Sequence, residues 1–245
     1  MKSIVDLSKE KIVERLQEEN LLNDKILLEA KVLSAVEAIG NPEEYDFPLL
    51  KGKEKIVESN FNDHLGHAFT DTYGGFYGSL EEVFAMDTSN NYRRALQVAT
   101  INALSKYWGL VEDAVHCKDK QPKICAGQCV NFVKKNYPAV ERITLIGYQP
   151  ALIDAFSKKY MLKVLDLDKD NIGEQKFGQT ILDGSMCLNS AVEWAQLVLS
   201  TGTTVVNGTI DEILNVAGKE KVIFYGVTIS GVAAVLGLNR ICFPK

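Results

Sequence analysis

The spacing of hydrophobic positions predicts several helices and one hairpin in the first half of the chain. Residues 91–108 carry small apolar side chains at helical spacing and predict the strongest helix, which ends at Gly109. Residues 8–39 favour two amphipathic helices, the first capped by Ser8 and the second by Asn23 or Asp24. Lys53 to Thr70 alternates instead and predicts two short strands joined at Asn62 and Asp63. A glycine-rich loop at residues 71–78 follows, and Ser79 caps a short turn.

The second half alternates helix and strand, which is typical of a parallel sheet. Strands are predicted at 142–146, 162–167, around Leu197 and at 222–225; helices are predicted at 127–136, 151–160, from Thr209 and from Ser230 or Gly231. The polar segment between Val111 and Pro122 separates this half from the first. We therefore expect an α/β protein with an α+β domain at residues 1–118, which includes a helical amino-terminal extension, and a Rossmann-like domain at residues 119–245.

Three predicted strand ends carry loops that contain glycine. They are Gly147 to Gln149, Thr201 to Thr204, and Gly226 to Ser230. In an open parallel sheet such loops lie at the carboxyl ends of the strands, where ligands bind. An anionic or carboxylate-bearing ligand would suit this place. It could bind to the hydroxyl groups, to free backbone N–H groups and to the amino terminus of the helix that follows Asn207, Gly208 and Thr209. The alternative is that these hydroxyls only stabilise turns and helix caps.

Two further positions bear on a ligand site. Asp166 and Asp168 follow Gly147 by about 20 residues, where a dinucleotide-binding fold places the acid that binds ribose. The first loop has one glycine instead of the G-x-G-x-x-G fingerprint, which argues against an ordinary NAD or FAD site. Asn102 lies on an apolar helix face, where its amide either bonds to neighbouring backbone or faces a cleft.

Thiols and imidazoles form two candidate metal sites. Cys125 and Cys129 are four apart on a predicted helix, with His116 and Cys117 just before it; His64 and His67 are three apart on a predicted strand. These groups suit soft metals, although the spacing is not that of a structural zinc site. The alternatives are that the cysteines act as small hydrophobes and that the histidines are surface residues or are held by hydrogen bonds. No G-x-S-x-G elbow and no P-loop are found in the sequence.

Composition narrows the class of partner. A net charge of -5 and dispersed basic residues argue against nucleic acid binding. No run approaches the length of a membrane span, and the charged amino terminus is unlike a signal peptide, so we expect a cytoplasmic protein. Five cysteines without a secretory signal favour reduced thiols. We expect a small-molecule ligand as partner and, if the protein forms a homo-oligomer, a second copy of the chain.

Two blocks of sequence carry a resemblance to a known family. One is GFYGSLEEV followed by NYRRALQVATINAL; the other is ITLIGYQP, then VLSTGTTVVNGTIDEIL and VIFYGVTIS. Together they cover most of residues 74–238, and they resemble the putative heavy-metal chelation family, a domain family of unknown function. The resemblance implies an enolase-amino-terminal-like domain packed on a Rossmann-like domain, with a site in the cleft between them.

The resemblance also implies which residues line that cleft. They are the Gly147 loop, the loop from Thr201 to Thr209, the Gly226 to Thr228 segment, and Asn102 from the other domain. Asp166 is added to them because of its distance from Gly147 along the chain. The expected ligand-binding residues are then Asn102, Gly147, Tyr148, Gln149, Asp166, Thr201, Gly202, Thr203, Thr204, Asn207, Gly208, Thr209, Gly226 and Thr228. His64 and His67 are the expected metal ligands.

Three functional hypotheses follow and stay open at this point. The first is a protein that binds a small anionic or metal-chelating ligand between the domains, with a role in heavy-metal chelation or chelator metabolism. The second is a transferase that uses a nucleotide or S-adenosylmethionine to synthesise a chelator. The third is a metal sensor or carrier built on Cys117, Cys125 and Cys129. The expected cofactor is accordingly a transition-metal ion or an S-adenosylmethionine-like nucleotide, and the sequence does not decide whether a reaction is catalysed.

Overall fold

The computed structural model describes residues 2–22, 27–40 and 54–243. The helices are α1 Ile4–Glu18, α2 Ala35–Ile39, α3 Leu80–Ala85, α4 Asn91–Tyr107, α5 Gln121–Asn136, α6 Pro150–Ser157, α7 Gly184–Trp194, α8 Thr204–Asn207, α9 Ile210–Ala217 and α10 Ser230–Leu236. The strands are β1 Leu27–Leu33, β2 Lys55–Phe61, β3 His64–Thr70, β4 Phe76–Ser79, β5 Arg142–Ile146, β6 Met161–Asp166, β7 Gln175–Lys176, β8 Gln179–Asp183, β9 Leu197–Thr201, β10 Val222–Tyr225 and β11 Arg240–Ile241. Among the described residues, no helix has the length and apolar character needed to cross a membrane.

The first sheet is antiparallel and has the order β3-β2-β1-β4. The predicted hairpin of β2 and β3 is confirmed, with Phe61 paired to His64 across a turn of two residues. Asn62 and Asp63 both have positive φ, at 47° and 64°, which is the conformation that a tight hairpin turn requires. Ser79 caps α3 and forms a reciprocal capping box with Glu82, as the sequence indicated.

The predictions for the amino-terminal segment were partly wrong. Ser3, not Ser8, caps α1, and Ser8 is buried inside that helix, where its hydroxyl donates to the Val5 carbonyl at 2.8 Å. The second helix was also predicted wrongly, because residues 27–33 form strand β1 between β2 and β4. The apolar residues in this segment are spaced as in a helix, but hydrogen bonding to two strands that are distant in sequence determines that it forms a strand. The candidate caps at residues 23 and 24 lie outside the described residues.

The second sheet is mainly parallel and has the order β11-β10-β9-β5-β6-β8-β7, with β7 antiparallel to β8. The chain builds outwards from β5 through β6 to β8, then returns to β9 and builds in the other direction. The order therefore reverses between β5 and β9, as in a doubly wound nucleotide-binding fold. Strands β5 and β10 have the predicted bounds, whereas β7, β8 and α7 were not predicted.

Helix α4 lies between the two sheets, and residues 95–105 of it are buried. Gly66 of β3 makes close approach possible, since a Cβ there would lie 2.3 Å from the Ala99 carbonyl oxygen. Gly231 likewise allows α10 to approach α4 closely, since a Cβ at this position would lie 2.8 Å from the Ile101 carbonyl oxygen. One hydrophobic core therefore extends from the antiparallel sheet through α4 to one face of the parallel sheet. A second core fills the other face beneath α5 and α6.

The expected fold class is confirmed. The protein is α/β, with a small α+β part that contains the antiparallel sheet, followed by a part whose sheet is mainly parallel. Residues 109–120 connect the two parts between α4 and α5. The exact boundary at residues 118 and 119 stays a prediction.

Candidate functional site

The strand order reverses between β5 and β9, and in sheets of this kind the ligand crevice lies at the carboxyl ends of the two strands that flank the reversal. We call it the switch-point crevice and define it by the loop Gly147–Gln149 after β5 and the turn Gly202–Thr203 after β9. Loops on either side of such a reversal lead to helices on opposite faces of the sheet, which leaves a space between them. Gly147 adopts a φ of 101°, and a Cβ there would lie 2.7 Å from Thr201 Cγ2. Only glycine suits this position, because both the backbone conformation and the close approach exclude a side chain.

The Tyr225 hydroxyl lies beside Gly147 at the same edge of the sheet. It donates to the Ile146 carbonyl at 3.0 Å, and a Cβ on Gly147 would lie 3.1 Å from its oxygen. Burial raises the pKa of Tyr225 far above its ordinary range, and the nearby Asp166 carboxylate raises it further. The hydroxyl is therefore neutral near pH 7. Sequence reasoning missed this residue, although a tyrosine that ends a buried strand was a signal for it.

Asp166 ends β6 next to the crevice and organises the surrounding loops. Its Oδ2 accepts the Tyr148 N–H at 2.8 Å, and its Oδ1 accepts the Asp168 N–H at 2.8 Å and the Asn171 amide at 3.3 Å. The carboxylate is half-buried. Since each carboxylate oxygen can accept two hydrogen bonds, Oδ2 can also accept one from a ligand. Gln149 fixes the end of the same loop by accepting the Leu152 N–H as the cap of α6.

Glu54, directly before β2, brings a carboxyl group from the first part of the protein to this edge of the second. Burial is the largest cause that raises the pKa of Glu54 to about 7, and the charges of Asp166, Asp71 and Asp168 contribute after it, in that order. Like charges disfavour the ionised form, so the smaller contributions of the three acids indicate negative charge near Glu54, beside the larger effect of burial. Sequence reasoning missed Glu54, because nothing local in the sequence relates it to Asp166.

The hydroxyl-rich loop after β9 satisfies its own hydrogen bonds. Thr203 N–H donates to Thr201 Oγ1 at 3.3 Å, and Thr204 Oγ1 donates to the Thr201 carbonyl at 2.8 Å. The Gly202 N–H donates to the Tyr225 carbonyl at 2.9 Å. These bonds fit the alternative that the loop's hydroxyls stabilise turns, and the part of these residues in ligand binding stays a prediction. Thr201 and Thr203 nevertheless stay half-buried beside the crevice.

Asn207, Gly208 and Thr209 form the turn between α8 and α9. Asn207 Oδ1 accepts the Thr209 N–H at 3.1 Å and the Thr209 hydroxyl at 2.8 Å. Gly208 has a φ of 82°, and a Cβ there would lie 3.7 Å from the Arg94 guanidinium on α4. These side chains therefore hold a turn that faces α4.

Asn102 and Thr228 join the two parts of the protein. The Asn102 amide donates to the carbonyls of His67 at 2.8 Å and Thr228 at 2.9 Å, and its oxygen accepts the Gly231 N–H at 2.7 Å. Thr228 Oγ1 accepts the Phe69 N–H at 3.1 Å. Asn102 is fully buried, so of the two alternatives from the sequence, bonding to neighbouring backbone describes it. Gly226 lies at the edge of this seam, where its carbonyl accepts from Arg240 at 2.9 Å.

His64 and His67 are not brought together by the fold. An odd separation along β3 directs their side chains to opposite faces of the sheet. His67 is 3% exposed, its Nδ1 accepts the His116 N–H at 3.0 Å, and its Nε2 lies 2.8 Å from Glu58. With Nδ1 acting as acceptor, Nε2 carries the proton and donates to Glu58, and this bond lowers the pKa of Glu58. Both ring nitrogens of His67 are therefore engaged.

Cys125 and Cys129 lie one turn apart on α5, and their thiols form a hydrogen bond. This bond, together with the Phe243 N–H and the Arg240 charge, lowers the pKa of Cys125 to about 6, whereas the pKa of Cys129 is raised by the same bond and by burial. Cys242 lies close enough for its charge to act on both. Within the described residues, no three histidine, cysteine or acidic side chains surround one point as a metal site would need.

The comparisons with known proteins agree with this architecture. Residues 133–240 match the model of the DUF364 family, described as putative heavy-metal chelation. The resemblance inferred from the sequence is confirmed. The match covers the parallel sheet from α5 to β11, including the switch-point crevice. No curated protein matches the chain.

Two solved structures of this family share the fold. One is a protein of unknown function from Pyrococcus horikoshii, with 19% identity and a TM-score of 0.57; the alignment covers 92% of this chain and 79% of that one. The other is a protein of unknown function from Desulfitobacterium hafniense DCB-2, with 14% identity and a TM-score of 0.52; the alignment covers 74% and 72% of the two chains. At these identities the likeness concerns the fold alone.

Proposed function

We propose that the protein binds a small metal-chelating molecule in its metal-loaded form, in the switch-point crevice. The observation that carries the proposal is the electrostatic environment of Glu54. A carboxyl group whose pKa is raised to about 7 by burial and by three neighbouring acids marks a place that favours positive charge. A chelator that carries its metal presents that charge, whereas the same chelator without its metal presents free carboxylates.

The residues around the crevice support a small polar ligand. Gly147 keeps the β5 loop free of a side chain, and the Tyr225 hydroxyl stands beside it. Asp166 offers an acceptor position, and Glu54 from the first part of the protein lies close enough for the Asp166 charge to act on it. A ligand held in this way would contact both parts, which are already joined rigidly at Asn102. The name of the family is compatible with a ligand of this class.

A second candidate is a transferase that binds a nucleoside cofactor such as S-adenosylmethionine. The observation that favours it is Asp166, which ends the strand next to β5 in a sheet of doubly wound order, where an acid commonly binds ribose hydroxyls. Tyr148 is half-buried in the loop where an adenine ring would stack. The cation of S-adenosylmethionine would also suit the acidic surroundings.

Isothermal titration calorimetry at pH 7 with two probes tests both candidates. The first probe is bis(ethylenediamine)glycinatocobalt(III), a cationic chelate that does not release its metal to protein thiols. The second is S-adenosylmethionine. We expect the cobalt chelate to bind, and we expect Asp166→Asn to weaken binding roughly tenfold, which corresponds to about 1.4 kcal/mol.

The matched control is Glu193→Gln, which removes an exposed carboxylate from α7. This variant should bind like the wild type. Equal weakening by both substitutions would contradict a specific crevice site, because a general effect of net charge would then explain the result. Binding of S-adenosylmethionine alone, lost in Asp166→Asn, would replace the first candidate by the second.

A further inference from the structure

Outside the crevice, the thiols of Cys125 and Cys242 lie close to the half-buried Arg240 cation. Cys125 and Cys129 share one face of α5, and Cys129 is 1% exposed while Cys125 is half-buried. Cys242 follows β11, and the N–H of the next residue, Phe243, donates to the Cys125 sulfur. Two segments that are distant in sequence therefore meet here, and the charge of Arg240 acts on the sulfur atoms of Cys125 and Cys242.

Arg240 is the unusual member of this group. Its Nε donates to the Gly226 carbonyl at 2.9 Å, but its Nη2 is buried and has no hydrogen-bond partner among the described residues. The guanidinium is always charged, and a buried donor without an acceptor costs free energy. An anionic group close to the thiols would offset that cost.

We propose that Cys125 and Cys129 together bind one soft monovalent metal ion, of the class of Cu⁺, in two-coordinate thiolate geometry. Soft thiolate ligands select such ions. Two thiolates and one Cu⁺ carry a net charge of -1, which complements the Arg240 cation. The metal keeps its oxidation state, and each thiol that is still protonated releases its proton to solvent as its sulfur binds the metal.

The small number of ligands that the fold brings together restricts the site to a two-coordinate metal ion. A structural zinc ion needs four ligands in a tetrahedron, and the described residues contain no group of even three suitable side chains. Two sulfur atoms one helical turn apart suffice for a two-coordinate ion. A cavity of about 290 Å³ is lined by Cys242, Arg240 and Asp113, next to the guanidinium that would face the bound ion.

The test is a titration of the full-length, tag-free, reduced protein with Cu⁺ under anaerobic conditions, in competition with the chromophoric chelator bicinchoninate. We expect the wild type to take one Cu⁺ per chain from the chelator. Cys125→Ser and Cys129→Ala should each weaken binding by roughly 100-fold or more, because each removes one of two ligands. Copper X-ray absorption should show sulfur neighbours only.

Two controls make the result decisive. Cys187→Ser removes a thiol from α7, away from this group, and should bind Cu⁺ like the wild type. Asp166→Asn alters the crevice and should also leave Cu⁺ binding unchanged, so a failure of the crevice proposal is distinguishable from a failure of this one. Circular dichroism checks that each variant is folded. If Cys129→Ala unfolds, the test rests on the Cu⁺ affinity of Cys125→Ser, because Cys125 is only half-buried. Unchanged affinity in Cys125→Ser, or equal weakening in Cys187→Ser, would overturn the proposal.

Discussion

At the scale of single residues, the fold converts ordinary side chains into unusual ones by bringing distant groups together. Glu54 directly precedes β2 and Asp166 ends β6 in the other sheet, yet the charge of Asp166 helps to raise the pKa of Glu54. Tyr225 acquires its role from the same edge, since its hydroxyl lies where β5, β9 and β10 end. The chemistry of the crevice is therefore a product of the whole topology.

The pKa of Glu54 makes stability depend on pH in a defined direction. The folded protein holds this proton up to about pH 7, whereas the ordinary pKa is 4.5, so the folded state loses stability as pH rises from 4.5 towards 7 and above. Glu54→Gln should remove this loss. We expect the variant to be more stable than the wild type by about 2–3 kcal/mol at pH 8 and nearly equal to it at pH 4.5, as measured by chemical denaturation.

The control for this measurement is again Glu193→Gln, whose carboxylate is exposed on α7. Its free energy of unfolding should follow that of the wild type at both pH values. A stability difference for Glu54→Gln that is independent of pH would show that Glu54 does not take up a proton in this range.

At the scale of elements, α4 is the structure on which both sheets depend. Its small residues allow β3 on one side and α10 on the other to approach the helix backbone closely, through Gly66 and Gly231. The Asn102 amide then bonds to backbone from both neighbours, which fixes their relative position.

Gly66→Ala tests the role of this close packing. A Cβ at residue 66 would lie 2.3 Å from backbone atoms of Ala99 and Ala103, so the strand has to move away from α4. We expect a loss of about 1–3 kcal/mol in the free energy of unfolding, measured with urea. Gly127→Ala in α5 is the matched control, because residue 127 is exposed and a Cβ there meets nothing within 4 Å; it should gain about 0.5–1 kcal/mol. Stabilisation by both substitutions would refute the packing argument.

Local patterns were sufficient to predict some elements and not others. Strands β5 and β10, the β2–β3 hairpin and helix α4 follow from periodicity and turn residues near them in the sequence. Strand β1 was mistaken for a helix because its identity depends on pairing with β2 and β4, which the periodicity of one segment does not contain. The same distinction applies to the site: Gly147 and Asp166 follow from their places at strand ends, whereas Glu54 is related to them only through the fold.

At the scale of the whole molecule, one core connects the two sheets and a reversal of strand order positions the crevice. The hydrophobic cluster that includes α4 also includes Val198, Phe224 and Val232 of the second part. The two parts therefore do not bury their apolar surfaces independently. A ligand in the switch-point crevice would lie beside this shared core, so its binding should stabilise both parts together.

Native mass spectrometry of tag-free protein, purified from cells without added chelators, tests the central claim most directly. We predict that the wild type carries an additional mass with the isotope pattern of a metal and an organic ligand. That mass should be lost in Asp166→Asn and kept in the double variant Cys125→Ser/Cys129→Ala, because the crevice and the thiols are separate sites. An additional mass that persists in Asp166→Asn, or that disappears only in the thiol variant, would contradict the assignment of ligand binding to the crevice.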